Sequence, residues 1–186
     1  MIHSCRISSP KFKISNRPNP SQMCVIGPII NDRQLDRIDR LVSQAAAQGA
    51  TIRTGGRKQG PFYQPTVVTG VTPDMTIYRE EIFGPVTLVI PAESEEEAIR
   101  IANDTQYGLS AAIVTGNPVR GQTIAPRIQA GMVHVNDSTV HDEPHCPFGG
   151  MKASGWVGKW GGAGAIEVFT DQQWIPTQVA ARQYPF

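Results

Sequence analysis

The sequence predicts an α/β fold with a largely parallel sheet, because helical and extended patterns alternate along the chain. The clearest helical pattern covers residues 31–49, where apolar side chains recur every three or four positions and form one stripe. Short β-branched and apolar runs, typical of strands, separate it from later helical segments. A chain of 186 residues is expected to form one domain with a substantial core.

The first half of the chain begins with this helix. Asn31 has the residue type of a helix N-cap, and Gly49 fits the helix end because glycine adopts the left-handed conformation without strain. The β-branched runs that follow are separated by turn residues. We expect strands at residues 51–54, 65–69 and 87–90.

The second half contains two helices with clear start signals. Ser94 and Glu97 form the pattern of a capping box. Asn117 and Pro118 have the residue types of a cap and a first helical position. Pro126 lies inside the helix that follows, and a proline there costs about 3 kcal/mol, so we expect a kink or break. The remaining elements are strands at 111–115, 132–135 and 173–179, and a short helix at 161–168.

The composition excludes several classes of function. A formal net charge of +1 offers no basic field for nucleic acid. No apolar run approaches the roughly 20 residues that a membrane helix needs, so no membrane partner is expected. The three cysteines, Cys5, Cys24 and Cys146, are too widely spaced for a disulfide framework, so we expect a reducing compartment, the cytoplasm.

The first residues differ from the rest. Residues 1–31 contain no Asp or Glu, while basic residues stand among serines, as in a mitochondrial transit peptide. Three prolines interrupt the amphipathic helix that such a peptide needs, and a disordered or misassigned leader is the alternative. We therefore expect a mobile leader at 1–20, the folded domain at 21–170, and a terminal strand with a tail at 171–186.

The run EEIFGP at residues 80–85 combines a carboxylate, an aromatic ring and a rigid Gly-Pro turn. A carboxylate can accept hydrogen bonds from the two hydroxyls of a ribose, and an aromatic ring can pack against a flat heterocycle. The alternative is a pair of surface glutamates that precedes a buried Phe at a turn.

The run PFGGMKASG at residues 147–155 is rich in glycine, which permits close approach of backbones. Phe148 could line the wall of a pocket; the alternative is a glycine-rich loop with one anchoring Phe. Neither this run nor any other matches a phosphate-binding loop, because GxxxxGK[ST] is absent and no GxGxxG joins a strand to a helix.

Four runs together resemble the aldehyde dehydrogenase superfamily in order and approximate spacing, with the similarity extending from about residue 18 to the C-terminus. They are EEIFGP at 80–85, NDTQYGL at 103–109, GMVHVN at 131–136 and PFGGMKASG at 147–155. The loop NDSTVHDEP at 136–144 is similar to the aromatic-aldehyde branch, which contains the vanillin, benzaldehyde and salicylaldehyde dehydrogenases. The fold implied is the C-terminal part of that family's catalytic domain, with a C-terminal oligomerisation strand.

The resemblance implies roles for particular residues. Glu81 would hold the nicotinamide-ribose hydroxyls of NAD or NADP, and Phe83 would pack near the nicotinamide. Phe148 would line the substrate tunnel near the reacting carbonyl. The other residues implied for the aldehyde site are Asn136, on its floor, and Val140 and His141, on the neighbouring loop.

The resemblance also implies that this sequence has no catalytic residue. The family's nucleophilic cysteine belongs to a Gly-Gln-x-Cys-type motif upstream of the position matching Gly27, and its general-base glutamate and dinucleotide-binding fold lie earlier still. Cys5 and Cys24 stand in a different context, and Cys146 fits the tunnel lining, with no obvious base near it. We therefore expect the chain to be a truncated form that is inactive alone and binds NAD or NADP weakly or not at all.

Two departures from the family pattern accompany this expectation. Residues 155–162 are one residue longer than the family's glycine-aromatic pattern, and Pro126 breaks a helix that the family keeps regular. Both fit a gene under weak constraint or an error in the gene's predicted boundaries.

His141, His145 and Cys146 form the one cluster of residue types that ligate metals. The His-x-x-x-His spacing suits a helix, but Pro144 favours a loop. We therefore expect polar loop residues and no metal.

Three functions remain open. The first is oxidation of an aromatic aldehyde by NAD(P)⁺ to the acid. The second is a non-catalytic module that forms homo-oligomers, or joins full-length subunits, through the strand near Trp174. An unrelated zinc-dependent role is a third possibility that bound metal would support.

Overall fold

The structure is a computed structural model and describes residues 26–155 and 159–185. The expected leader at 1–20 lies outside the described residues. The chain divides into two compact units, of which the first ends at Glu93 and the second begins at Ser94. Within the described ranges, no helix has both the length and the apolar character to span a bilayer.

The first unit is built on the predicted amphipathic helix, α1 (Asp32–Ala47). The Asn31 side chain accepts a hydrogen bond from the backbone N–H of Gln34 at 2.9 Å, and Gly49 follows the helix with a φ of 104°. Both local signals are therefore confirmed. The buried stripe of α1 consists of Leu35, Ile38, Leu41, Val42 and Ala45.

The sheet of the first unit is mixed, so the expectation of a largely parallel sheet is wrong. Its strands are β1 (Thr51–Thr54), β2 (Lys58–Gln59), β3 (Phe62–Tyr63), β4 (Thr66–Thr69) and β5 (Val86–Val89), with a short helix α2 (Thr76–Arg79) before β5. β1 pairs with β4 antiparallel, and β4 pairs with β5 parallel, while β2 and β3 form a separate hairpin. No crossover helix lies between β1 and β4, so the chain reverses direction and these two strands pair antiparallel. The longer connection from β4 to β5, which contains α2, allows parallel pairing.

The core of the first unit lies between α1 and this sheet. Ile38, Val68 and Ile77 are almost fully buried there, together with Tyr63. Burying each aliphatic side chain of this size contributes about 1.5–3 kcal/mol. The apolar stripe of α1 therefore contributes substantially to the stability of this unit, and this helix also positions the segment at residues 80–85.

The second unit contains α3 (Glu95–Asn103), β6 (Ser110–Ile113), α4 (Pro118–Ile124), β7 (Met132–Val135) and α5 (Gly162–Phe169). β6 and β7 pair in parallel, with Ser110 opposite Met132 and Ile113 opposite Val135. α4 ends at Ile124 and continues as a 3₁₀ turn that contains Pro126, so the predicted break is confirmed.

The starts of α3 and α4 follow the sequence signals. Ser94 Oγ accepts from the Glu97 N–H at 3.1 Å, and Asn117 Oδ1 accepts from the Arg120 N–H at 3.2 Å. Arg120 also pairs with Glu95 at 2.6 Å across the two helices. This ion pair lies at the surface, so it contributes at most about 1 kcal/mol to stability.

The terminal segment at 173–179 forms no strand in the described part of the single chain, and its pairing with another subunit stays a prediction. A strand needs a neighbour that shares its backbone hydrogen bonds, and Pro176 lacks one of the required N–H groups. The segment is exposed, with Trp174 at 88% of its full accessible surface.

Candidate functional site

The segment at residues 80–85 presents an aromatic ring to solvent. Phe83 is 75% exposed, and its φ of 51° lies in the left-handed region. Such a backbone is rare for a bulky side chain and costs about 1–2 kcal/mol. The buried Phe of the alternative interpretation is therefore wrong. A strained residue persists only where its surroundings determine its conformation, and such residues cluster at ligand sites.

Side chains of α1 hold this segment in place. Gln34 Nε2 donates to the carbonyls of Ile82 at 2.9 Å and Phe83 at 3.1 Å. Arg37 donates to the Ile82 carbonyl at 3.0 Å and to the Glu80 carboxylate at 2.9 Å. Sequence reasoning missed both residues, because nothing local distinguishes them from other polar residues on an amphipathic helix.

The two glutamates of the segment differ in their surroundings. The Glu80 carboxylate is paired with Arg37, whereas the Glu81 carboxylate is exposed and forms no hydrogen bond or ion pair with a described residue. A carboxylate with two free oxygens can accept hydrogen bonds from two adjacent sugar hydroxyls. Glu81 and Phe83, the two residues singled out for the cofactor, are therefore both available to a ligand.

Gly84 explains the close packing of this segment on α1. A Cβ at position 84 would lie 2.5 Å from Cδ1 of Ile38 and 2.9 Å from its Cγ1. Ile38 has no exposed surface and has no room to move. The glycine of the EEIFGP run is thus required by packing, while the adjacent Phe83 remains outside.

The second unit contains an open pocket of about 350 Å³ beside β7 and the loop that follows it. Its walls include two of the residues implied for the aldehyde, His141 and Phe148, and also Cys146. The apolar part of the lining is Met132, Val133, Pro147 and Phe148, and the polar part includes His134, Asp137, His141 and Glu143. An apolar wall with a few convergent polar groups is the usual arrangement for a small organic ligand.

Phe148 is fixed by its backbone. Its N–H donates to the Trp160 carbonyl at 2.5 Å, and the Trp160 N–H donates to the Phe148 carbonyl at 2.7 Å. Phe148 as a residue remains 37% exposed, and it lines the pocket wall. The pocket interpretation of the PFGGMKASG run is therefore supported, and the glycines around it serve backbone packing: a Cβ on Gly131 would lie 1.7 Å from the Gly149 carbonyl oxygen.

Two of the implied residues lie outside this lining. Val140 is 87% exposed. Asn136 has a φ of 58°, and its side-chain oxygen accepts from the Thr115 N–H at 2.7 Å, while its own N–H donates to Ile113 at 2.8 Å. Asn136 thus extends the contact between β6 and β7 and supports the strand from which the pocket loop begins.

The polar side of the pocket contains a histidine–carboxylate pair. His141 Nδ1 lies 2.5 Å from Asp137 Oδ2. The hydrogen bond to Asp137 raises the pKa of His141, and the same bond lowers the pKa of Asp137. Both side chains are exposed, so solvent reaches the pair on the pocket wall.

Cys146 is exposed, and Glu143 and His145 lie near it: one ligand atom from each of the three residues is within 4.8 Å of the others. The expectation that no base stands near Cys146 is therefore wrong. The reason for this proximity is a turn of the loop. The Cys146 N–H donates to the Glu143 carbonyl at 2.9 Å, which keeps the side chains of Cys146 and Glu143 close together.

Comparison with known proteins identifies relatives over nearly the whole chain. The sequence profile of the aldehyde dehydrogenase family matches residues 10–175. A benzaldehyde dehydrogenase [NAD(+)] of Pseudomonas putida is 46% identical over 169 residues, which cover 91% of this chain and 34% of the relative.

Solved structures agree with this assignment. A salicylaldehyde dehydrogenase from Pseudomonas putida G7, complexed with salicylaldehyde, matches with a TM-score of 0.81 and 40% identity over 88% of this chain and 34% of its own. A Mycobacterium tuberculosis aldehyde dehydrogenase complexed with NAD⁺ matches with a TM-score of 0.75 and 39% identity, over 81% and 32% of the two chains.

The chain spans about a third of the length of the relatives it matches. The match includes the EEIFGP segment, the pocket loop and the glycine-rich run, because the family profile extends across all of them. The chain therefore belongs to the aldehyde dehydrogenase family.

Proposed function

We propose that this chain provides the nicotinamide-facing and aldehyde-facing surfaces of an aromatic-aldehyde dehydrogenase, and that alone it does not oxidise aldehydes. The overall reaction would convert an aromatic aldehyde, NAD(P)⁺ and water to the acid, NAD(P)H and a proton. The relatives named for benzaldehyde and salicylaldehyde support this substrate class. The observation that carries the proposal is the exposed pair Glu81 and Phe83 on a strained segment that α1 holds.

In this proposal Glu81 accepts hydrogen bonds from the nicotinamide-ribose hydroxyls, and Phe83 packs beside the nicotinamide. The aldehyde would contact Phe148 and His141 on the pocket wall, with Asn136 supporting the floor and Val140 on the flanking loop. NAD(P)⁺ supplies the hydride acceptor. The side chains of this chain would orient the two reactants and exclude water from the apolar wall.

Inactivity of the chain alone follows from the chemistry. A carbonyl carbon becomes a hydride donor only after a nucleophile has added to it and formed a tetrahedral adduct. In this family a cysteine of a Gly-Gln-x-Cys-type motif supplies that nucleophile, and the motif does not occur in this sequence. The adduct that must precede hydride transfer would therefore not form.

The cofactor part of the proposal is tested by calorimetry and ligand-observed NMR with NAD⁺. Only the nicotinamide end has candidate contacts here, so we expect a Kd far weaker than about 1 μM, which corresponds to about −8 kcal/mol. Glu81→Ala and Phe83→Ala should remove the residual NMR contact to the nicotinamide protons, whereas Glu80→Ala, which alters the glutamate paired with Arg37, should retain it. A contact that survives in Glu81→Ala contradicts the assignment.

A second candidate function is non-catalytic association, and the exposed terminal segment favours it. Trp174, Ile175 and Val179 are exposed, and the apolar Ile166 and Phe169 of α5 are exposed as well. An extended segment with unpaired backbone groups readily pairs with the edge of another subunit. The segment would then become a strand only in the oligomer, either with a second copy or with a full-length subunit.

Light scattering tests this second function. We expect the full chain to form dimers or larger species, and a variant that ends at Gln172 to shift towards the monomer. The double variant Trp174→Ser with Ile175→Ser should have the same effect without a change in chain length. A full chain that is monomeric at all concentrations contradicts the association.

A further inference from the structure

We propose that the loop after β7 contains a zinc site formed by His141, Glu143, His145 and Cys146. His145 Nε2 lies 3.1 Å from one Glu143 carboxylate oxygen, and His141 Nε2 lies 3.7 Å from the other. The Cys146 Sγ lies within 4.8 Å of the ligand atoms of Glu143 and His145. Tetrahedral zinc with bonds of about 2.0–2.3 Å places neighbouring ligands roughly 3.5 Å apart, and the distances from Glu143 to His145 and His141 are close to this value.

Asp137 orients one of these ligands. Its carboxylate lies 2.5 Å from Nδ1 of His141 and, as an ionised acceptor, takes a hydrogen bond from the ring N–H there. A neutral imidazole that donates through Nδ1 keeps its lone pair on Nε2, and this nitrogen faces Glu143. Carboxylate, histidine and metal in this order form the usual arrangement of a histidine ligand in zinc proteins. Asp137 is thus a positioning residue and not a ligand.

The backbone of the loop is held independently of any ion. The Cys146 N–H donates to the Glu143 carbonyl at 2.9 Å, and the His141 N–H donates to the Ser138 carbonyl at 3.1 Å. The Gly162 N–H donates to the Pro144 carbonyl at 3.2 Å, which fixes the loop against the start of α5. The four ligand side chains are exposed, so a hydrated ion can reach them without opening the fold.

The chemistry of the donors selects the metal. A thiolate and two imidazoles favour zinc over magnesium or calcium, which prefer oxygen ligands. The thiolate and the Glu143 carboxylate together balance the charge of Zn²⁺. Because the thiolate is the ligand, the Cys146 thiol releases its proton to solvent when the ion binds.

This proposal departs from the sequence-based expectation of no metal. Pro144 does keep the segment out of a helix, as its residue type suggested. The loop nevertheless brings His145 and Cys146 together, and it adds Glu143, which a search for histidines and cysteines alone overlooks. Glu143, one of the two acidic residues between His141 and His145, was the signal in the sequence.

Equilibrium dialysis and calorimetry of the purified chain with Zn²⁺ test the site, and Co²⁺ replaces Zn²⁺ to detect the thiolate–metal charge-transfer absorption. We expect one tightly bound ion per chain. Cys146→Ser should lower the affinity by more than about 100-fold and abolish the absorption, and Asp137→Asn should lower the affinity by about 10- to 100-fold. His145→Ala provides a second ligand variant, and far-UV circular dichroism should show that all of these variants remain folded.

The matched control is the double variant Cys5→Ser with Cys24→Ser, which removes the other two cysteines of the sequence. It should bind zinc with unchanged affinity and retain the cobalt absorption. The proposal is overturned by an absence of bound zinc, by unchanged affinity in Cys146→Ser or Asp137→Asn, or by loss of binding in the control.

Discussion

Single residues determine how the EEIFGP segment is presented. Phe83 has a conformation that costs a bulky residue about 1–2 kcal/mol, and charge-assisted and neutral hydrogen bonds from Arg37 and Gln34 offset this cost. Both donors lie more than 40 positions earlier in the sequence. The residue types of the segment could be interpreted from the sequence, but the exposure of the ring depends on this distant helix.

Replacement of Gly84 by alanine tests the packing that supports this presentation. The added Cβ would clash with the fully buried Ile38, so we expect Gly84→Ala to lower the free energy of unfolding by about 1–3 kcal/mol in urea denaturation. Gly27→Ala is the control in the same unit, because no atom lies within 4 Å of its added Cβ, and its effect should stay within about 0.5 kcal/mol. Equal effects of the two substitutions would show that the packing at position 84 does not matter.

At the scale of elements, the sequence correctly predicted where helices begin, but it did not predict how strands pair. The caps at Asn31, Ser94 and Asn117 were all predicted correctly, because a cap depends on residues three positions apart. The largely parallel sheet was wrong, and the strand at 173–179 does not form within the single chain, because both depend on which distant segment lies alongside. The pocket was predicted in part: the sequence indicated Phe148 and His141, but not Asp137 or Glu143, which the loop brings to them.

Asn103, in the NDTQYGL run, links two elements of the second unit. Its Nδ2 donates to the Arg127 carbonyl at 2.9 Å, and its Oδ1 accepts from the Gln129 N–H at 2.8 Å. These bonds fix the end of α3 to the turn before β7. We expect Asn103→Ala to lower the free energy of unfolding by about 1–3 kcal/mol in thermal or urea denaturation.

The control for Asn103 is Gln106→Ala, which truncates an exposed side chain of the same run. Its effect should stay within about 0.5 kcal/mol. If Asn103→Ala were equally mild, the two side-chain hydrogen bonds would have no role in joining the elements, and the motif would need another explanation.

At the scale of the whole molecule, the two units contain different parts of the proposed function. The first unit presents Glu81 and Phe83, and the second contains the pocket with Phe148 and His141. The chain spans about a third of the length of relatives such as the benzaldehyde dehydrogenase of Pseudomonas putida. We therefore propose that this chain binds and orients a cofactor and a substrate, while its sequence does not contain the nucleophile motif that the reaction requires.

The most direct test of this account is an assay of the purified chain with benzaldehyde and either NAD⁺ or NADP⁺, followed by the absorbance of the reduced cofactor. We expect no turnover above the rate without protein, because no thiolate is positioned to form the tetrahedral adduct that donates the hydride. Turnover by the chain alone, abolished in Cys146→Ser but retained in the double variant Cys5→Ser with Cys24→Ser, would contradict the account and identify Cys146 as the nucleophile.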